Sequence, residues 1–397
     1  MLPLAGTTVV ALEHAVAAPL CTRQLAELGA RVIKIETPRG GDFARHYDGV
    51  VHGQSSYFAW INRGKESVVL DLKTSAGRSA MKTLLDHADV LVQNLGPGAG
   101  ARIGLDHASV RAERPALIAV DIVGWGDPWA NRKAYDLLIQ AETGLARLTG
   151  GSEPIRVGIS VADIAAGMYG TQAVLAALVR RGITGEGAHC TISLFDALAE
   201  WLTQPALIAW ATGRVPPPAG LAHATIAPYG AFALRDGTQI VIAVQNDTEW
   251  QNLCRSVLHD PDLSTDARYA TNAGRVAFRS EVDGRIANWA SAQSASQAER
   301  SLDAAGIAHA RVRGVDELLG HPLLADRIQT VTVGTGLAPA LPSPIRFDDT
   351  ASLLGAVPAL GADTARVLME FGISHICDHD SSPHHGNPEE KDSGPQP

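Results

Sequence analysis

Short runs of branched apolar residues alternate with helical apolar spacing along the first third of the chain. Thr7–Glu13 and Arg31–Glu36 predict β-strands, and Ala18–Leu28 between them has apolar residues at helical spacing. A strand, a helix and a second strand within about thirty residues form a βαβ unit, whose strands are parallel. The alternation predicts a doubly wound, Rossmann-like α/β domain, with further strands at Ser67–Leu72, Asp89–Asn94 and Ala116–Val123 and a helix at Ser75–His87.

The pattern becomes mainly helical from about Tyr135. It predicts a long Ala- and Gly-rich helix at Val161–Arg181, a turn at Gly182–Gly187, a strand at Ala188–Leu194 and another helix to about Thr212.

A Pro-rich segment, residues 213–222, separates this part from a different pattern. Three consecutive prolines in it favour an extended linker. Beyond it, Tyr229–Leu234 and Gln239–Val244 flank a turn sequence and predict a hairpin, and His309–Val312 predicts a short strand. The chain therefore divides into a large α/β domain (1–212), the linker (213–222) and a small α+β domain (223–330). Residues 331–377 return to the large domain, with a predicted helix at Ala359–Phe371. The remaining residues, 378–397, form a polar tail that we expect to be disordered.

The charge balance narrows the classes of partner. The chain has 33 Lys and Arg residues and 42 Asp and Glu residues, which gives a net charge of −9. Nucleic acids and anionic membranes attract basic surfaces, so we expect neither partner, although a local basic pocket is compatible with this balance. No apolar stretch predicts a membrane span, and the amino terminus lacks the pattern of a signal peptide.

The cysteines do not form a recognisable motif. Cys21, Cys190, Cys254 and Cys377 lie far apart, without the spacing of a zinc site or of a disulfide framework. Free thiols in a reducing compartment explain them. We therefore expect a cytoplasmic protein without a bound metal.

One acidic residue lies at the start of the long helix, in the sequence Ser160-Val161-Ala162-Asp163. Asp163 occupies the third helical position, where a carboxylate complements the helix dipole and belongs to a capping arrangement with Ser160. The small residues that follow would also let a ligand approach this carboxylate closely. The residues alone leave a capping role and a functional role open.

A glycine-rich segment follows the predicted strand Asp89–Asn94. Gly96, Gly98 and Gly100 would let backbone N–H groups approach a phosphate, but Pro97 lacks an N–H and the spacing is not that of a dinucleotide fingerprint. A tight turn between a strand and a helix explains the segment equally simply.

Several blocks, taken together, resemble family III coenzyme A transferases. The blocks are GARVIKIETPRGGD, NRGKESVVLDLK, DVLVQNLGPGA, YDLLIQAETGL and RVGISVADIAAG, at 29–42, 62–73, 89–99, 135–145 and 156–167. The resemblance covers most of residues 1–245. It implies an enzyme that transfers coenzyme A between an acyl-coenzyme A and a carboxylic acid, with no permanently bound cofactor and with coenzyme A as a substrate. It also implies an interlaced homodimer formed by an open-ring chain.

The resemblance assigns expected roles to individual positions. Asp163 matches the catalytic aspartate, which would carry coenzyme A as an aspartyl thioester. The expected lining of the active site is His14, Val16, Tyr135 and Tyr229, and the expected coenzyme A contacts are Ala15, Arg39, Leu70, Lys73, Asn94, Leu95, Arg102 and Lys133. Residues 223–230 are read either as a lid over the site or as the entry to a strand.

Two other functions remain as alternatives. Acyl-coenzyme A racemases of the same superfamily have a histidine where this chain has Tyr135 and a glutamate near Gln245, and neither Tyr nor Gln is a good acid–base group near pH 7. A nucleotide-binding oxidoreductase would rely on the glycines after Asn94, without the fingerprint. Coenzyme A transfer is therefore the preferred prediction. The resemblance, rather than any residue of this chain, implies succinate or another short dicarboxylic acid as one partner.

Overall fold

The computed structural model describes residues 1–150, 153–218, 220–347 and 354–373. Its largest sheet has six parallel strands in the order β3-β2-β1-β4-β5-β6. This order is that of a Rossmann-like doubly wound sheet, and it confirms the predicted fold class. The strands are β1 (Thr8–Leu12), β2 (Arg31–Glu36), β3 (Glu66–Val69), β4 (Val90–Gln93), β5 (Ile118–Val123) and β6 (His189–Ser193).

Helices connect these strands. The helices are α1 (Ala17–Glu27), α2 (Ser56–Asn62), α3 (Ser75–Asp86), α4 (Ala99–Arg102), α5 (His107–Glu113), α6 (Asp136–Glu142), α7 (Leu145–Thr149), α8 (Val161–Thr184), α9 (Leu194–Trp201) and α10 (Thr203–Thr212). The predicted turn at Gly182–Gly187 was placed too early. Helix α8 continues to Thr184 and ends where Gly185 adopts φ +75°, a conformation that glycine takes at little cost.

The two faces of the sheet bury separate apolar clusters. Successive side chains of a strand point to opposite faces. Val9 and Ala11 face a core that includes α1 and α8, whereas Val10 and Leu12 face a core that includes α3 and α5. The continuous apolar run of β1 is thus buried on both sides, as a parallel sheet requires.

Helices α1 and α8 pack closely through small residues. A Cβ atom added to Gly167 would lie 2.7 Å from the carbonyl oxygen of Ala17, and one added to Gly170 would lie 3.2 Å from the Sγ atom of Cys21. The Ala- and Gly-rich sequence of α8 is therefore explained by contact with α1. This contact fixes the start of α8 beside the carboxyl ends of the strands.

By length and composition alone, α8 is apolar enough to cross a membrane, a property that the sequence analysis did not identify. One or two such helices are weak evidence, because core helices of other proteins pass the same test. Ala162, Ala165 and Ala166 of α8 are buried against the sheet. Packing in the core accounts for the composition, and the absence of a membrane partner stays a prediction.

A second sheet lies after the Pro-rich segment. It consists of β7 (Tyr229–Ala233), β8 (Gln239–Ala243) and β9 (Ala308–Arg311), which are antiparallel, so the predicted hairpin is confirmed. Trp250 and Tyr269 are fully buried in its own apolar core. The associated helices are α11 (Asp247–Asn252), a π-helical turn (Leu253–Val257), α12 (Asn272–Ala277), α13 (Arg279–Ser291) and α14 (Ala295–Ala305).

The last described segments pack against the first sheet and its helices. Strands β10 (Gln329–Val333) and β11 (Gly336–Ala340) form a hairpin that the sequence analysis missed, and they pack against Phe58. Helix α15 (Thr364–Glu370) is shorter than the predicted Ala359–Phe371 because Gly361 adopts φ +68° before it. Residues 374–377 and the predicted tail lie outside the described residues. The proposed division into domains stays a prediction.

Candidate active site

A pocket of about 680 Å³ opens at the carboxyl ends of β1, β4 and β5. The strand order reverses between β1 and β4, and ligands of open α/β sheets bind at this switch point. The pocket brings together eight of the predicted site residues, which are His14, Ala15, Val16, Asn94, Leu95, Lys133, Tyr135 and Asp163.

The turn after β1 is held by a side chain from the loop after β4. The backbone N–H of His14 donates to Asn94 Oδ1 at 2.9 Å, and Asn94 Nδ2 donates to the carbonyl oxygen of His14 at 2.8 Å. The next residue, Ala15, adopts φ +59°, a strained conformation for a residue with a Cβ atom. Asn94 thus uses its amide group to hold this turn in position.

A buried network of charges lies beneath the same turn. The Nζ atom of Lys34 is 2.9 Å from Asp42 Oδ2 and 3.3 Å from Glu13 Oε1, and Lys65 donates to the same Glu13 oxygen at 2.6 Å. Asp42 Oδ1 accepts the backbone N–H of Ala15 at 3.1 Å. Burial lowers the pKa of Lys65 to about 8, against the opposing effect of Glu13. The strained turn is therefore tied to the core through Asp42.

His14 lies between this network and the pocket. Its ring stacks on Phe43 with a centroid distance of 5.6 Å, and its Nδ1 atom is 4.0 Å from Asp42 Oδ1. Burial lowers the pKa of His14, with Asp42 opposing the effect. The Nδ1 atom is buried without a hydrogen-bond partner among the described residues. His14 therefore presents a neutral ring to the pocket near pH 7.

Aromatic side chains extend this wall of the pocket. Phe43 contacts Tyr47 at 5.8 Å between centroids, and Tyr47 meets Tyr57 edge to face at 5.5 Å. Burial raises the pKa of Tyr47 to about 12, and the charges of Asp42 and Asp163 add to the effect. Tyr47 consequently keeps its proton and remains a hydrogen-bond donor.

Asp163 lies on the first turn of α8 and faces the pocket. The expected capping arrangement is wrong. Ser160 occupies the N-cap position, but its side chain makes no capping hydrogen bond; the N–H of Ala162 donates instead to Asp136 Oδ1 at 2.9 Å. Within the described ranges, no hydrogen bond or ion pair engages the Asp163 carboxylate. The carboxylate is therefore free to meet a ligand.

The electrostatic surroundings of Asp163 disfavour its charged form. Burial raises the pKa of Asp163 to about 7, the like charge of Asp136 raises it further, and Arg156 lowers it. An ionised carboxylate with a raised pKa is more basic, and hence more nucleophilic, than an ordinary aspartate. The position near the positive end of the α8 dipole favours negative charge there.

Asp136 is held by its own set of contacts. Gln140 Nε2 donates to Asp136 Oδ2 at 2.8 Å, and Arg156 Nη2 lies 3.4 Å from the same oxygen. Gln140 Oε1 accepts the N–H of Val157 at 2.9 Å, which anchors the segment before α8. The pair Asp136–Gln140, one helical turn apart on α6, thus connects α6 to the start of α8.

Three cations lie at the pocket: Arg132, Lys133 and Arg156. The guanidinium of Arg132 stacks on Trp129 at 3.8 Å from the ring centroid, which holds its charge at the pocket's edge. The neighbouring Tyr135 is 62% exposed. This edge can therefore receive an anionic ligand although the whole chain is acidic.

The structure does not bring five of the expected site residues to this pocket. Arg39, Lys73 and Arg102 have exposed side chains elsewhere on the surface. Leu70 is 2% exposed and packs in the apolar core under the sheet. Tyr229 begins β7 and stacks on His223 at 5.3 Å, and no residue of the suggested lid 223–230 lines the pocket.

Sequence reasoning also missed residues that the pocket does contain. Asp136 and Arg156 stand in blocks that carried the resemblance, but nothing in their spacing to Asp163 showed that they surround it. The aromatic residues follow no motif, because Phe43 lies in a short 3₁₀ helix (Phe43–His46), Tyr47 directly follows it and Tyr57 lies in α2.

Comparison with known proteins agrees with this geometry. The family model described as CoA-transferase family III matches residues 4–364. The chain is 35% identical to an acetyl-CoA:oxalate CoA-transferase of Acetobacter aceti over 376 residues, covering 93% of this chain and 96% of the relative. It is 33% identical to a succinate–glutarate CoA-transferase of Agrobacterium fabrum over 390 residues, with coverage of 93% and 96%.

Solved structures show the same fold. A CAIB/BAIF family protein from Brucella suis superposes with a TM-score of 0.81 at 33% identity, covering 93% of this chain and 99% of that chain. The orthorhombic form of Rv3272 from Mycobacterium tuberculosis gives a TM-score of 0.81 at 28% identity, with coverage of 92% and 98%. This chain belongs to CoA-transferase family III and is an enzyme of that class.

Proposed function

We propose that this enzyme transfers coenzyme A from an acyl-coenzyme A to a carboxylate through a covalent thioester on Asp163. The observation that carries the proposal is the Asp163 carboxylate, which faces the pocket without a hydrogen-bond partner in the described parts of the chain. Its raised pKa supports a nucleophilic role over a capping role. The match to the family model supports the reaction class.

The reaction conserves the thioester in two symmetrical halves. An Asp163 oxygen attacks the acyl carbon of the donor, and the C–S bond breaks to give a mixed anhydride and a coenzyme A thiolate. The thiolate then attacks the Asp163 carbonyl carbon, and the donor carboxylate leaves. The acceptor carboxylate attacks the resulting aspartyl thioester, which forms a new anhydride and again frees the thiolate. Attack of that thiolate on the acceptor's acyl carbon releases the new thioester and regenerates Asp163.

Each attack creates an oxyanion that needs positive charge or hydrogen-bond donors. The start of α8 supplies the positive end of a helix dipole, and Tyr47 keeps a proton to donate. Water competes for the anhydride, so the reacting groups must be covered when substrates are bound. The aromatic side chains of Phe43, Tyr47 and Tyr57 line one side of the pocket, which supports the exclusion of water on that side.

We propose short dicarboxylic acids as the acyl group or the acceptor. The cations Arg132, Lys133 and Arg156 at the pocket support a substrate with a second carboxylate. The relatives named for oxalate, for succinate and glutarate and, in Haloarcula hispanica, for mesaconate support the same class. The exposed Arg39, Lys73 and Arg102 remain proposed contacts for the phosphates of coenzyme A.

We also propose a cytoplasmic homodimer with interlaced chains. Helix α10 buries none of its residues within the single chain, and Trp210 on it is 84% exposed. Ile183 near the end of α8 is 81% exposed. Exposed apolar side chains on helices are typical of a surface that another chain covers. Sedimentation analysis tests the dimeric state, and a monomer at micromolar concentration would contradict it.

The transfer assay compares Asp163→Asn with a matched control. Asp303→Asn changes an aspartate that is 73% exposed on α14, outside the pocket. Purified enzymes are mixed with a panel of acyl-coenzyme A donors and dicarboxylates, and new thioesters are identified by mass spectrometry. We expect transfer with the wild type and with Asp303→Asn and none with Asp163→Asn. Transfer by Asp163→Asn at the wild-type rate would exclude Asp163 as the nucleophile.

A further inference from the structure

Two histidines and an aspartate meet at strands β5 and β6, outside the active-site pocket. His189 begins β6, Asp121 lies in β5 opposite Thr191 of β6, and His107 begins α5. His189 and Thr191 are two positions apart, so His189 points to the same face as Asp121. The next residue of β5, Ile122, points to the other face and lines the pocket. None of His107, Asp121 and His189 lines the pocket, so the three residues are separate from the proposed transfer site.

The polar atoms of this cluster lie within coordination range of one another. His189 Nε2 is 2.7 Å from Asp121 Oδ2, and His107 Nδ1 is 3.5 Å from the same oxygen. The two imidazole rings stack, with centroids 3.5 Å apart and planes inclined by 6°. One potential ligand atom from each residue lies within 4.8 Å of the other two.

A fourth side chain orients the carboxylate. Buried Gln93, the last residue of β4, donates from Nε2 to Asp121 Oδ1 at 2.7 Å and to the carbonyl oxygen of Leu105 at 3.0 Å. This leaves Oδ2 directed at the two histidines. Metal ligands are commonly held by such an outer hydrogen bond, which fixes the direction of the ligand atom.

We propose that His107, Asp121 and His189 form a binding site for a divalent transition ion of the zinc type. Two imidazole nitrogens and one carboxylate oxygen are a donor set that Zn²⁺ and its neighbours prefer. Side-chain exposures of 46% for His107, 22% for His189 and 17% for Asp121 leave a side open for water as a further ligand. The sequence analysis expected no metal, because His107, Asp121 and His189 are far apart along the chain and form no recognisable motif.

Binding requires a small rearrangement of the cluster. Adjacent donors around Zn²⁺ bind at about 2.0–2.2 Å from the metal, so the hydrogen bond between His189 and Asp121 must open. The stacked rings must tilt so that both nitrogens point to one position.

The ion would join three separate segments of the chain: the start of α5, the middle of β5 and the edge strand β6. Gln93 connects this cluster to β4, immediately before Asn94, which holds the His14 turn. Because the ligands converge only in the folded chain, the ion stabilises the folded state by mass action.

The test uses the full chain without an affinity tag. Zn²⁺ is titrated calorimetrically, and Co²⁺ is titrated while its visible absorption is followed. The variants are His107→Gln, His189→Gln and Asp121→Asn, of which the last can keep an oxygen for Gln93. The matched control is His87→Gln. His87 is exposed just after α3, outside the cluster, and its side chain hydrogen-bonds only to the carbonyl oxygen of Thr83 within the described residues. Histidines after residue 373 are present in every variant, so their binding is a constant background.

We expect the wild type and His87→Gln to bind one more equivalent of ion than the three cluster variants. We expect a Gln93→Met variant to bind the same equivalent about 10–100-fold more weakly, as loss of an outer partner does. The melting temperatures of the wild type and of His87→Gln should rise on addition of Zn²⁺ by more than those of the three cluster variants. Equal stoichiometry and equal affinity in the wild type and in His107→Gln and His189→Gln would overturn the proposal, as would an absence of binding in all of them. Neither result tests the proposed role of Asp163 in coenzyme A transfer.

Discussion

The carboxylate of Asp136 raises the pKa of Asp163, and the same carboxylate accepts the amide of Ala162 that leads into Asp163. One residue therefore both holds the start of α8 and adds to the effect of burial, which is the larger cause of the raised pKa of Asp163. Arg156 acts in the opposite direction on Asp163 while it pairs with Asp136. Burial raises the pKa of Asp163 most, and the balance of these two charges adjusts it further.

Two substitutions should shift the pH profile in opposite directions. The reaction needs ionised Asp163, so kcat/KM should rise with pH through the pKa of about 7 in the free enzyme. Asp136→Asn removes a like charge and should lower that pKa, moving the acid limb to lower pH. Arg156→Gln removes an attractive charge and should move the limb to higher pH. Initial rates between pH 5 and 9 measure both shifts.

Asp303→Asn serves as the charge-neutralising control for this experiment, because Asp303 lies outside the pocket. Its acid limb should coincide with that of the wild type. Movement of the Asp136→Asn and Arg156→Gln limbs in the same direction would contradict the assignment of the titrating group to Asp163.

Removing the charge of Asp163 should stabilise the protein above neutral pH. Its pKa is raised from 3.8 to about 7 on folding, so the folded state holds the proton more tightly than the unfolded state. The free energy of unfolding therefore falls as pH rises between these values. Asp163→Asn should gain about 1–3 kcal/mol at pH 8, and progressively less toward pH 4. Urea unfolding at several pH values measures the difference in the free energy of unfolding between Asp163→Asn and the wild type. A difference that does not change with pH would contradict the prediction.

The hydrogen bonds between Asn94 and His14 should matter for activity as well as for folding. Asn94→Ala leaves the N–H and the carbonyl of His14 without these partners, which costs about 1–3 kcal/mol. The strained turn at Ala15 then loses one of its two anchors, so kcat/KM should fall. Asn94→Asp keeps the acceptor and loses the donor, so it should give a smaller loss of stability than Asn94→Ala. Equal stability and equal activity of all three proteins would show that the turn does not need Asn94.

Arg102 tests how far the coenzyme A site extends beyond the pocket. Its side chain is exposed on α4, and the phosphates of coenzyme A are the expected partners. Arg102→Ala should raise the KM for the thioester more than it lowers kcat, because a remote charge contributes mainly to binding. Arg300→Ala, which changes an exposed arginine on α14, is the control. An unchanged KM would place Arg102 on a merely solvated surface.

The sequence predicted the parallel sheet well because its signals are local. Arg31–Glu36 was predicted with the same bounds as β2, and the helix predicted at Val161–Arg181 is α8 with three more residues at its end. The surroundings of Asp163 were not predictable, because Asp136 and Arg156 reach it through tertiary structure. Asp163 itself was selected by resemblance, since capping explained its position equally well until Asp136 proved to hold the Ala162 amide.

The most direct test of the account is the mass of the Asp163 peptide. The enzyme is incubated with an acyl-coenzyme A in the absence of an acceptor, quenched in acid and digested. We predict that the peptide containing Asp163 gains the mass of coenzyme A minus water, and that a dicarboxylate acceptor added before the quench removes the adduct. An unmodified Asp163 peptide in an enzyme that turns over, or an adduct on a different residue, would contradict the covalent mechanism.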